Sequence, residues 1–278
     1  MDFENKKLMI DDRLESYQSF YDHEWARSFS QLVSGTMLDP PALDLCKDWK
    51  GAANAGRLPW HVVHSLKDFY YGYLQPGDSS FQRLTKGLLV WLQDRTRHSF
   101  NLTKQKELIG IVNKVSQEVQ EGITKAPPVL DLDEIWSEFL SITEFTLSLW
   151  SLQKLCYCAV YYAYENFLRM CVSIGQDRPE YRPRTDELMR DLRALFGIPI
   201  GDACLSDEGV VLARQVRNAL AHNGGRATTE IEANRGELSI LDGDIQIMPL
   251  DVRKLYTLLK GQVTAIAEKS RSMAAFRV

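Results

Sequence analysis

FTLSLWSLQKLCYCAVYYAYENFLRMCVSI, residues 145–174, is the most apolar run of the chain, and its reading decides the fold. It lies within a helical pattern extending from about Asp133 to Val172, which suits either two helices or one kinked helix. Gln153, Lys154, Glu165 and Arg169 interrupt it. That is too many polar groups for a comfortable membrane span, so the run reads as a core helix and no membrane association is expected.

Helical periodicity continues on both sides. Upstream, Leu14, Tyr17, Phe20, Tyr21, Trp25, Phe29, Leu32 and Val33 mark an amphipathic first helix, stopped at Asp39-Pro40-Pro41. Further helices are expected near Ala42–Lys50, Trp60–Leu74, from Ser79 or Ser80 to Arg97, and from Thr103 to Ile123. The Pro127-Pro128 pair is the best internal boundary, since two prolines end a helix and stiffen the connection. It divides an N-terminal helical region, 1–128, from a helical domain, 129–278. Downstream, Thr185 opens a helix that ends before Gly197, and Ser206-Asp207-Glu208 opens the next. Asp242-Gly243-Asp244, flanked by Leu238–Leu241 and Ile245–Met248, signals a short hairpin, after which Pro249 and Asp251 open a last helix. The expected fold class is mostly α: a helical bundle with one small β-hairpin near the C-terminus, preceded by an additional helical region.

Composition narrows the function classes. Hydrophobic residues at 45% and charged residues at 25% describe an ordinary globular chain. A net charge of −4 argues against coating nucleic acid by bulk electrostatics, so any phosphate site must be local. Arginine, in contrast, concentrates between Arg178 and Arg226, which suits either bidentate phosphate contacts or solvated helix faces. The five cysteines have no paired C-x-x-C spacing and read as buried free thiols. His61 and His64 come nearest to a metal-ligand pair but lack a third ligand, so no metal or other cofactor is expected. The N-terminus has no export signal, and a cytoplasmic location is expected.

Chemistry for a phosphodiester gathers in one place, Arg217-Asn218-Ala219-Leu220-Ala221-His222-Asn223-Gly224-Gly225-Arg226. Arginine supplies a permanent planar cation, and histidine can exchange a proton near neutral pH. At about 100° per residue, Leu212, Ala213, Val216, Ala219 and Leu220 face the core, while Arg217, Ala221, Arg214, Asn218 and His222 form the polar side. Asn218 lies one turn before His222, near enough to hydrogen-bond the imidazole or to hold a phosphate oxygen beside it. Arg214 and Arg226 are further phosphate-binding candidates. The bland alternative is an arginine in a surface ion pair and a histidine at a helix end.

The string Arg217-Asn218-x-x-x-His222-Asn223-Gly224-Gly225, the upstream helix with Tyr161-Tyr162-Ala163-Tyr164-Glu165, the hairpin and the closing helix together resemble the HEPN superfamily (higher eukaryotes and prokaryotes nucleotide-binding) over about residues 133–270. The resemblance implies a dimerising bundle whose R-x4-6-H motif is a metal-independent endoribonuclease site. Arg217, Asn218 and His222 match the motif positions, and Glu165 is similar to the acidic residue that supports the arginine. It further implies that the ribose 2′-hydroxyl attacks phosphorus, with His222 as base or acid, leaving a 2′,3′-cyclic phosphate and a 5′-hydroxyl. The partners it implies are RNA, a second copy of the chain, and an antitoxin or regulatory protein if the role is that of a toxin or anti-phage defence effector. Two alternatives stand beside it. One is a non-catalytic HEPN-like module for nucleotide binding or dimerisation. The other is an unrelated interaction protein that docks a partner on Trp25, Trp49, Trp60 and Trp91.

Overall fold

A computed structural model describes residues 10–74, 90, 102–125 and 131–277. The chain is mostly α. Its helices are α1 (His23–Val33), α2 (Asp39–Gly56), α3 (Leu58–Leu74), α4 (Leu102–Lys125), α5 (Leu132–Ser141), α6 (Thr143–Gly175), α7 (Thr185–Phe196), α8 (Ile198–Leu205), α9 (Glu208–His222), α10 (Thr229–Asn234) and α11 (Pro249–Ser270). Between α10 and α11 lies the expected hairpin, β1 (Ser239–Leu241) against β2 (Asp244–Gln246), antiparallel with Ile240 opposite Ile245. Asp242 and Gly243 both take positive φ, 52° and 78°, the two-residue turn whose twist matches the strands it joins.

Residues 1–60 and 139–278 form one compact unit, and residues 61–138 form another. The first is organised around α6, a helix of 33 residues that buries Leu149, Cys156, Val160, Tyr164, Phe167 and Cys171 among others. Helices α2, α9 and α11 pack on it. Every main-chain bond of such a helix is internal, so its buried sides can be wholly apolar. The second unit holds α4, whose Ile111 and Val115 are exposed, and the larger parts of α3 and α5, including buried Trp136.

The long apolar pattern is thus two helices, broken at Ile142, whose backbone is extended. The first expected helix is shorter than its periodicity suggests. Leu14–Tyr17 forms one 3-10 turn, and α1 starts only at His23, because the Asp22 carboxylate caps it by accepting the Trp25 amide at 2.9 Å. Asp39-Pro40-Pro41, expected as a break, is instead the first turn of α2, where a proline's missing amide costs nothing. The helix expected from Ser79 or Ser80 to Arg97 and the Pro127-Pro128 boundary fall outside the described residues.

The expected division at residue 128 requires correction. Helices α1 and α2 belong to the same unit as α6 to α11, because α2 lies along α6 and their side chains share one core. Trp49 is fully buried there, its indole donating to the Val160 carbonyl at 2.9 Å. Trp25 stacks on Phe29 and lies within 5.6 Å of Trp49, ring centre to ring centre. Trp49 fills the core, which removes it from any docking face, and Trp25 is half-buried against it. Trp60 is half-buried beneath the Arg57 guanidinium, and Trp91 lies outside the described residues.

Trp49→Ala is expected to cost about 3–5 kcal/mol through cavity formation and loss of the indole bond to the Val160 carbonyl. The check is the urea midpoint at unchanged slope. A fragment spanning only residues 129–278 is expected to lack a cooperative transition in the same measurement.

Candidate functional site

Helix α9 starts at Asp207, whose carboxylate accepts the Gly209 amide at 2.9 Å and the Val210 amide at 3.3 Å, satisfying two orphan donors of the first turn. Val210, Ala213, Val216 and Ala219 are buried on one side, as their spacing requires. Arg214 and Arg217 are half-buried at the border, and Asn218, Ala221 and His222 are exposed. His222 is the last residue of the helix. At about 1.5 Å per residue it lies roughly 7.5 Å along the axis from Arg217.

Two glycines stop the helix. Gly224 and Gly225 both have positive φ, 62° and 82°, and the Gly225 amide returns to the Ala219 carbonyl at 2.9 Å, closing the end. The chain is then sewn to the hairpin: Ile245 N donates to Gly225 O at 2.8 Å, Ala227 N to Gly243 O at 2.8 Å, and Arg226 forms an isolated antiparallel bridge with Asp244. The hairpin in turn is tied to α6, since the Trp150 indole donates to Gln246 Oε1 at 2.7 Å. Lys154 sits on the Trp150 ring, with Nζ 3.3 Å from its centre and 3.0 Å from where a side chain on Gly225 would begin. The loop after His222 is therefore fixed from two sides.

The centre of the site is Glu165 on α6. Its Oε2 accepts from Arg217 Nη2 at 2.5 Å and its Oε1 from Arg169 Nη2 at 3.0 Å. One carboxylate thus joins α6 to α9 and holds two guanidiniums at once. The Glu165 and Arg217 side chains are only 12% and 19% exposed, so this ion pair is screened far less than a surface one. The Arg217 guanidinium also lies 5.4 Å from the centre of the Tyr161 ring. Burial and then the Glu165 carboxylate push the Tyr161 phenol well above its usual range, while Arg214, Arg217 and Arg169 oppose them. Burial likewise raises the Cys158 thiol, against the fields of Arg217 and Lys154. The remaining cysteines are free and buried, with Cys156 pushed up by burial to about 11 and Cys204 to about 12.

Of the residues expected from sequence, the structure brings Glu165 and Arg217 into contact, and Arg214 lies half-buried on the same helix as Arg217. Asn218 and His222 sit on the exposed side of the same helix end, and exposed Arg226 belongs by its backbone to the hairpin edge. Arg169 and Lys154 were missed as site residues. For Arg169 the signal existed, because an acid followed four residues later by an arginine on one helix forms a pair. Lys154 had no such signal, since its partner ring and the Gly225 turn meet it only in the folded chain. The motif face is open surface. A cavity of about 350 Å³ between α9, residues 235–238 and α11, and another of about 490 Å³ between α9 and α10, both lie away from Arg217 and His222.

Among the described residues no group of three His, Cys, Asp or Glu side chains is arranged to hold a metal ion, and no helix is long and apolar enough to cross a membrane. Comparison with family models, with curated proteins and with solved structures gives no match.

Glu165→Gln leaves two guanidiniums around a neutral amide in a poorly hydrated setting. The expected loss is on the order of 3 kcal/mol, as when one partner of a buried pair is removed, read as a lower urea midpoint.

Proposed function

We propose that this chain is a metal-independent endoribonuclease of HEPN type. The observation that carries the reading is the ion pair of Glu165 on α6 with Arg217 on α9, with His222 exposed at the end of the same helix. An arginine fixed by a carboxylate is a preorganised cation for the charge that develops on phosphorus, and its orientation costs nothing at the moment of reaction. A solvent-facing imidazole can take the proton of the attacking 2′-hydroxyl or return one to the leaving 5′-oxygen. Asn218, one turn before His222, would position the phosphate. The products would be a 2′,3′-cyclic phosphate and a 5′-hydroxyl, a transfer internal to RNA that needs no cofactor.

One arginine and one histidine make a sparse site, and a two-fold dimer would double it. In support of a homodimer, α6 exposes Leu155, Tyr162 and Met170 at 67%, 61% and 40%. By helix geometry Leu155 and Tyr162 lie roughly 60–80° around α6 from Glu165, so a partner on this stripe would border the motif. A toxin or anti-phage defence role, held in check by an antitoxin or regulatory protein, would follow from the same resemblance.

One observation favours the second reading, a non-catalytic nucleotide-binding or dimerisation module: Arg217 is four-fifths buried and already paired. RNA incubated with the purified chain in excess chelator separates the two readings. Under the nuclease reading the wild type yields 2′,3′-cyclic phosphate ends, His222→Ala lowers the rate by about 10²–10⁴ and Arg217→Ala by about 10²–10³. Cutting by His222→Ala at the wild-type rate removes the nuclease reading. Binding without turnover, lost in Arg217→Ala, selects the module. For the dimer, Leu155→Asp with Tyr162→Asp is expected to halve the mass measured by light scattering.

A further inference from the structure

Around Glu165 the charges do not balance. Arg169 and Arg217 each spend one Nη2 donor on its carboxylate, so two cations meet one anion in a chain whose net charge is −4. A guanidinium carries five N–H donors. Arg169 Nε and Arg217 Nε are both buried with no acceptor, although both side chains flank the same carboxylate. Glu165 engages only one donor of each fork, so most of the hydrogen-bonding capacity of the two guanidiniums is left unused by the carboxylate between them.

We propose that Arg169 and Arg217 form one two-pronged phosphate site, with Glu165 as the hinge that keeps both guanidiniums in reach of the same group. Arg169 is then a substrate-binding residue rather than a brace for Glu165. The ligand class follows from shape and charge. A carboxylate is planar and already occupies the space between the two arginines, whereas the tetrahedral oxygens of a phosphodiester can accept from two forks set at an angle. Its single negative charge also offsets part of the local excess. That the phosphate belongs to RNA rests on the ribonuclease reading above. The site itself does not require cleavage.

The partial exposure of Arg169, 36% against 19% for Arg217, gives the pair a division of labour. The more open arginine meets the backbone first, and the more buried one closes on the phosphate once its hydration is lost. Attraction of this kind is strongly salt-dependent, because each phosphate neutralised releases condensed counterions.

The test uses the full chain and a mixed-sequence oligonucleotide of 2′-O-methyl RNA, which binds but cannot form a cyclic phosphate, followed by fluorescence anisotropy in chelator across a salt series. Arg169→Ala is expected to weaken binding about tenfold and to lower the slope of log K against log salt by about 0.7, the single-strand value for one phosphate contact. Arg169→Lys keeps the charge and should retain the slope with a smaller loss of affinity. Thermal unfolding establishes that the variants are folded, and Arg169→Gln, which preserves length, replaces alanine if that variant is not.

Unchanged affinity and slope in Arg169→Ala or Arg169→Gln overturns the proposal, as does a wild type that does not bind the oligonucleotide. The two readings fail separately. Binding that depends on Arg169 in a wild type that never cuts unmodified RNA keeps the phosphate site and sinks the nuclease. Cutting with binding indifferent to Arg169 does the reverse.

Discussion

Helix α6 constrains everything around it. Its buried faces meet α2, α9 and α11, so the long helix cannot turn about its axis without breaking the core on several sides at once. Trp49 pins one side through the Val160 carbonyl and Tyr164 another through its hydroxyl on the Cys204 carbonyl at 2.8 Å. With rotation forbidden, Glu165 has one direction to face. That direction is α9, where Arg217 meets it.

The same arrangement would let an acidic chain accept the anionic substrate proposed for it. Bulk charge governs long-range attraction, but at a partly buried site, where solvent screening is weak, the nearest charges dominate. Around Tyr161 the local sum is positive because arginines from α6 and α9 converge on one acid. A chain of this kind would be selective by geometry, admitting a phosphate at one place while its general surface repels the polymer.

Much of the architecture was legible because short-range rules decide it. Asp242-Gly243 demanded positive φ at two consecutive residues and received it, and Gly224-Gly225 ended α9 where the sequence said it must end. Glu165 and Arg217 were legible as candidates, though 52 residues separate them and only the folded bundle shows their contact. Pro40-Pro41 misled, because the same residue that breaks a helix interior also begins one, and the choice depends on what α2 can bury. The expected boundary at Pro127-Pro128 failed for a related reason. Punctuation in sequence marks where elements stop, not which elements share a core, and α2 shares its core with a helix about a hundred residues away. Lys154 was invisible for the same cause.

The turn after His222 is laced to the hairpin, and the hairpin to Trp150. A residue mounted on such a frame has almost no slack. Were an RNA strand to bind as proposed, it would have to conform to this fixed backbone, and much of the energy of ordering would fall on the guest. Flexible, unpaired stretches would submit at little expense, while a stiff duplex would resist. Discrimination by pliability could then precede any discrimination by base.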